Sequence, residues 1–329
     1  MKEIKYLTIE EQIEHLKEKG LIINNEKRAK KYLEDIGYYK LINGYKSHFI
    51  VKIKDPVSGE ITKKYIENTT IEEFYYIYEF DQKLRALILK NSSEIEVMVK
   101  SRISDLISQK YGIKESDYLQ ANNFKPDKPS DVRKKTTFID IQNEILSTIN
   151  KQKTKHNSIM WYAQNYGFFP FWVISNILTF GTISLLYSKM LQPDQNCISK
   201  TFNLKSKTFE SILMVLHLFR NACAHNEVIY NYRTNNYHLS QKYLENIYNS
   251  YNIPIDEATG RFIYGTNDIF CIVIIFKLLL SKSQFNEFVQ QFTSFLNRLK
   301  KHIDIFKYNE ILKTMGIVDD LSIIHKLKI

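Results

Sequence analysis

Apolar residues recur at three- and four-residue spacing through most of the 329-residue chain, the pattern of helices that bury one face. The longest such run, "TIEEFYYIYEFDQKLRALILKNSSEIEVMVKSRISDLISQKYG", keeps helical period for about forty residues from Thr70. Phe74, Ile77, Leu84, Ile88, Ile95, Val99, Ile103 and Leu106 fall on one stripe. Thr70 and Glu73 predict a capping box at its start, Asn91 to Ser93 a bend, and Gly112 the stop. Upstream, the pattern predicts a helix capped by Thr8 and ending at Gly20, and a second from Asn25 to about Ile36. "KIKDPVSGEITKKY" alternates around Asp55, Pro56 and Gly59 and reads as a hairpin or an exposed loop.

Downstream, "NNFKPDKPS" reads as a loop fixed by two prolines, followed by a helix beginning near Thr137. One apolar helix is expected from Phe171, and another from about Lys207 into "LFRNACAHNE". A Tyr- and Asn-rich insertion with a short helix spans about residues 230–266. Helices resume over Asn267–Ser281 and Ser283–His302, and one or two short helices close the chain. The expected fold class is all-α. A small N-terminal helical extension with the hairpin or loop takes residues 1–66, and the main helical domain takes 67–329.

Composition agrees. Glycine (10) and proline (6) are scarce, against a turn-rich β fold, and 44% hydrophobic residues suffice for a packed core. The net charge of +10 makes nucleic acid the first partner to consider. Abundant Ile, Lys, Asn and Tyr temper that inference, because an AT-rich genome raises them without functional demand. Cys197, Cys223 and Cys271 are odd in number, far apart and in apolar surroundings, so they read as reduced core residues. The N-terminus lacks an apolar signal core, so a cytosolic location is expected. The uncharged stretch from Asn157 to Ser188 raises a membrane question. Pro170 and Gly181 interrupt it, and Asn176, Thr179, Thr182 and Ser184 recur at helical spacing, which favours buried helices of a soluble bundle.

The chemistry concentrates in "LFRNACAHNE", residues 218–227. Histidine moves protons near neutrality, and arginine donates two hydrogen bonds to a phosphate. Together Arg220 and His225 suit RNA transesterification without a metal or other cofactor, in which the 2′-hydroxyl attacks phosphorus and a 2′,3′-cyclic phosphate forms. On an ideal helix their five-residue spacing sets them about 140° apart, whereas Asn221 and His225 share a face. A site built across two copies removes that difficulty, so a homodimer is an expected partner beside RNA. The bland alternative is a helix end with polar residues facing water. His217, Cys223 and His225 do not match a zinc spacing, and neither a G-x-S-x-G elbow nor a phosphate loop occurs. For RNA contact the candidates are Arg133, Lys134 and Lys135, then Lys151, Lys153 and Lys155, and Tyr38, Tyr39 and Lys40 in the tyrosine-rich connection.

The order of motifs resembles the abortive-infection proteins of the AbiD/AbiF type. It runs "HLKEKGLII", "YLEDIGYYKLINGY", "YEFDQKLRALIL", "EIEVMVKSRI", "PFWVISNILTFGTISLLY" and "FRNACAHNEVIYNYR", over about residues 7–235. The resemblance implies a HEPN-like helical bundle whose R-x4-6-H motif forms an RNase site, commonly across a dimer. It carries catalytic roles onto Arg220 and His225, with Asn221 as the polar neighbour of the arginine. It further implies an anti-phage toxin held in check until infection, in some members by a structured non-coding RNA. Relatives often carry an acidic residue near the position of Asn176, and a basic one where this chain has "NEVIYN". A non-catalytic protein that sequesters RNA or a partner is the alternative reading.

Overall fold

The computed structural model describes residues 6–54, 61–134, 136–250 and 252–317. About 65% of the described residues are helical, and their strands form two small two-stranded sheets, so the protein is all-α. In chain order the helices are α1 (Ile9–Glu18), α2 (Glu26–Ile36), α3 (Ile71–Tyr111), α4 (Glu115–Tyr118), α5 (Pro129–Lys134), α6 (Phe138–Gln152), α7 (Asn157–Asn165) and α8 (Phe171–Ile174). There follow α9 (Phe180–Lys189), α10 (Gln192–Lys200), α11 (Ser206–Ala224), α12 (Glu245–Ser250), α13 (Ile269–Leu279), α14 (Lys282–Lys300) and α15 (Ile305–Thr314). β1 (Ile50–Lys54) pairs antiparallel with β2 (Ile61–Tyr65), Ile50 facing Tyr65, and β3 (Ile255–Asp256) pairs with β4 (Arg261–Phe262).

Local chemistry explains most boundaries. Thr8 and Glu11 form a capping box on α1, and Asn25 caps α2 by accepting from the Arg28 N–H. Thr70 and Glu73 exchange the two bonds of a capping box at the start of α3, as their spacing predicts. Gly112 ends α3 at φ +99°, a conformation that side chains disfavour. The helix runs unbroken through Asn91–Ser93, so the expected bend does not interrupt it; Ser93 instead donates back to the Leu89 carbonyl. Every residue of the predicted α3 stripe is buried except Leu106.

Two compact units are present. The first takes residues 1–87, 222–232 and 286–328 and packs Leu16, Leu41, Phe49, Phe74 and Phe292 in its core. The second takes residues 88–221 and 233–285. Its core includes Ile95, Ile103, Ile145, Phe171, Phe209 and nearly all of α13, which is apolar all round because it is buried all round.

Three expectations need correction. The apolar run from Phe171 is two helices, not one. Asn176 donates its side-chain amide to the Trp172 carbonyl at 2.9 Å, and Thr179 caps α9 by accepting from the Thr182 N–H. The polar residues at helical spacing are therefore a stop and a start. The proline-bearing loop gives way at Pro129 to the short helix α5, proline being suited to a first helical position. Cys223 and Cys271 are buried, but Cys197 is exposed on α10, whose sequence "QPDQNCISK" is polar around it and turns it to solvent. Among the described residues no helix is long and apolar enough to cross a membrane.

Candidate functional site

Arg220 lies in the last turn of α11, whose apolar residues Phe209, Ile212, Leu213, Leu216 and Phe219 are buried. Its side chain is one third exposed, while its Nε is shielded from solvent and faces Oε2 of Glu96 at 3.5 Å, longer than a good hydrogen bond. Glu96 is a nearly buried carboxylate on α3 that also takes an ion pair from Lys100 at 2.8 Å. Lys100 in turn donates to the Leu178 carbonyl at 2.8 Å. One buried carboxylate thus stands between two cations in the second unit. Arg220 Nη1 also reaches Asn221 Oδ1, at 3.5 Å.

The helix ends at Ala224, and the turn that follows is built by backbone bonds. Asn226 takes the left-handed conformation at φ +57°, its N–H donates to the Cys223 carbonyl, and the Glu227 N–H donates to the Ala222 carbonyl. These are the two bonds of a Schellman motif, with asparagine in the position usually taken by glycine. His225 is the capping residue and is exposed. The 140° separation and the shared Asn221–His225 face both assume helix through His225. The helix stops one residue earlier, at Ala224, so helical spacing alone does not set how His225 stands to Arg220 and Asn221.

What holds the segment after His225 is Asp81, wholly within the first unit. Its carboxylate accepts from the backbone N–H of Ile229 at 3.0 Å and of Tyr230 at 2.7 Å, from the Tyr45 hydroxyl at 2.9 Å, and from Arg85. Arg85 also donates to the Glu227 carbonyl at 3.0 Å. Burial pushes the Asp81 carboxyl up to about 6, against the opposing pull of Arg85, the Tyr230 N–H and the Tyr45 hydroxyl. Tyr45 stacks on Tyr230 with ring centres 5.8 Å apart. Gly44 is packed so closely that an added Cβ would lie 2.6 Å from the Lys40 carbonyl oxygen and 3.2 Å from Val228. The segments "INGY", "FDQKLR" and "NEVIY" therefore meet at one buried polar node.

Asp81, Arg85 and Glu96 were not among the residues singled out by sequence. The signal available was an acidic and a basic residue four apart on an otherwise apolar helix stripe, which also describes ordinary solvated pairs. His217 needs no metal to explain it: it is largely buried, its Nδ1 lies 3.2 Å from the Leu213 carbonyl, and its pKa is lowered by burial. Among the described residues no group of three or more His, Cys, Asp or Glu is placed to hold a metal ion.

The RNA-contact candidates do not form one patch within either unit. Tyr38, Tyr39 and Lys40 belong to the first; Tyr39 is exposed, and Lys40 lies 5.9 Å from the Tyr78 ring. Lys151, Lys153 and Lys155 are exposed at the end of α6 in the second. Arg133 and Lys134 lie on α5, and Lys135 falls outside the described residues.

Residues 31–231, more than half of the chain, match the family described as Abi-like protein. The chain belongs to that family, and membership suggests a role in abortive infection. No curated protein and no solved structure matches the chain.

Proposed function

We propose that the protein is an RNA-binding abortive-infection toxin whose HEPN-like site cleaves RNA without metal through Arg220 and His225. Arg220 stabilises the charge added to phosphorus, and His225 moves the proton between the 2′-hydroxyl and the leaving oxygen. One histidine acts as base or acid, and a homodimer supplies both. A structured non-coding RNA holds the activity in check. The observation that carries this reading is a partly exposed arginine paired with a buried carboxylate, followed five residues on by an exposed histidine at a braced helix cap.

The Glu96 ion pair favours a second reading, in which Arg220 is largely neutralised and the protein sequesters RNA without cutting it. One experiment separates the two. Purified protein is incubated with RNA in EDTA, beside Arg220→Ala and His225→Ala variants of unchanged thermal stability. Cleavage to 2′,3′-cyclic phosphate ends that both variants lose supports the nuclease. Host toxicity undiminished in both variants sinks it.

A further inference from the structure

The second unit contains a cleft of about 710 Å³, within the size range of sites that enclose a small molecule or a nucleoside. One wall is the face of α3 from Ser93 to Ser108, and the other is Trp172, Ser175 and Asn176 at the end of α8. Glu96 lines this cleft and is the carboxylate paired with Arg220, so one residue links the cleft to the arginine.

The cations here are already engaged. Lys100 is held by Glu96 and the Leu178 carbonyl; Arg102 donates to the Thr201 carbonyl at 2.8 Å and stacks on Phe202. The cleft therefore has little to offer a phosphate. What remains free is of another kind. Trp172 is 44% exposed and Val97 67% exposed, giving flat apolar surface. Asp105 is exposed and enters no ion pair among the described residues. Asn176 spends its amide hydrogens on the Trp172 and Val173 carbonyls, which leaves its carbonyl oxygen as an acceptor. Ser108 Oγ is shielded from solvent and has no hydrogen-bond partner among the described residues. An aromatic face bordered by acceptors suits an unpaired base whose edge carries N–H donors. Guanine offers two adjacent donors on its Watson–Crick edge, where adenine offers one and uracil one.

We propose that this cleft takes an unpaired base of the RNA strand, guanine in preference, stacked on Trp172 and read by Asp105 and Asn176. The proposal rests on the RNA reading above and adds to it a subsite that would select where on a strand Arg220 meets the phosphate. Stacking on an aromatic ring tolerates any base, so the preference comes from the acceptors and the affinity from the ring.

The chain has two tryptophans, so Trp161→Phe leaves Trp172 as the sole reporter with the cleft untouched. That protein is titrated with 2′-O-methyl tetranucleotides, which cannot be cleaved, of sequence AGAA, AAAA, ACAA and AUAA. Saturable quenching of Trp172, with AGAA bound at least about fivefold more tightly and the preference lost in Asp105→Asn, is expected. Trp172→Ala should weaken binding of labelled AGAA about tenfold or more, with Trp172→Phe retaining most of it. Quenching absent at millimolar oligonucleotide overturns the proposal. So does Trp172 emission that changes with protein concentration alone, which would mark the face as a contact between copies. Quenching that survives in a protein unable to cleave leaves the subsite standing and removes only the nuclease reading. Cleavage that is indifferent to Trp172→Ala does the reverse.

Discussion

Glu96 sets one carboxylate oxygen 3.5 Å from Arg220 Nε while its other oxygen pairs with Lys100. The ion pair favours one orientation of the arginine on a helix end where its long side chain would otherwise sample many. If Arg220 contacts the reacting phosphate, that orientation matters more to rate than to binding. Glu96→Gln, which preserves size and hydrogen bonding to Lys100, should lower single-turnover cleavage about ten- to a hundredfold with little change in KM. A thermal midpoint close to wild type accompanies that result. Unchanged cleavage would make Glu96 a structural ion-pair partner and nothing more.

Asp81 titrates in a direction that can be worked out. Its carboxyl is raised from an ordinary 3.8 to about 6, so the folded chain takes up the proton more readily than the unfolded one. Stability from this group is fully present below about 3.8 and is lost as the pH rises through 6. Asp81→Asn carries no such titration. The stability of wild type minus variant, from denaturant unfolding, should fall by roughly 1–3 kcal/mol between pH 4 and pH 7. A difference that stays constant or grows with pH contradicts the assignment.

Gly44→Ala tests the close approach at the node. Its φ of −65° is open to any residue, so the conflict is with neighbours alone. The added methyl meets the Lys40 carbonyl oxygen, which is backbone and cannot swing away, and Val228. A loss of about 1–3 kcal/mol is expected by differential scanning or denaturant unfolding, as for other overpacked sites.

Lys189 is nearly buried on α9 and bridges Asp127 at 2.6 Å and Asp131 at 2.7 Å, while its carbonyl accepts from the Lys125 N–H. It thereby ties the segment between Lys125 and Asp131, and the start of α5, to the second unit. Lys189→Met should cost roughly 2 kcal/mol, less than the 3–5 kcal/mol of a fully buried pair, because both carboxylates keep contact with water. The specific readout is hydrogen exchange. The amides from Lys125 to Asp131 should exchange faster while those of α13 do not change.

The fold was legible where local chemistry decides it. Thr8, Asn25, Thr70 and Thr137 announce their helices by capping, and the α3 stripe follows from period alone. The break between α8 and α9 was not legible, because Asn176 and Thr179 look alike as buried polar residues and as cap residues until their backbone partners are known. The same limit governs the site. Arg220 and His225 stand out as a chemical pair in a short stretch. Glu96 and Asp81 act across 124 and 148 residues of sequence, from Glu96 to Arg220 and from Asp81 to Ile229, and period says nothing about such partners.

Chain order gives the Asp81 node a kinetic meaning. The backbone donors that Asp81 binds come 148 and 149 residues after it, and closing so long a loop is entropically costly and slow. α3 can form from local contacts as soon as it is synthesised, whereas the turn carrying His225 is braced only once Tyr230 has emerged and docked. A chain that stops short of Ile229 lacks both backbone donors that Asp81 binds, so the segment after His225 goes without that brace. On the proposed toxin reading, competence then arrives with the completed fold and not with the first appearance of the motif.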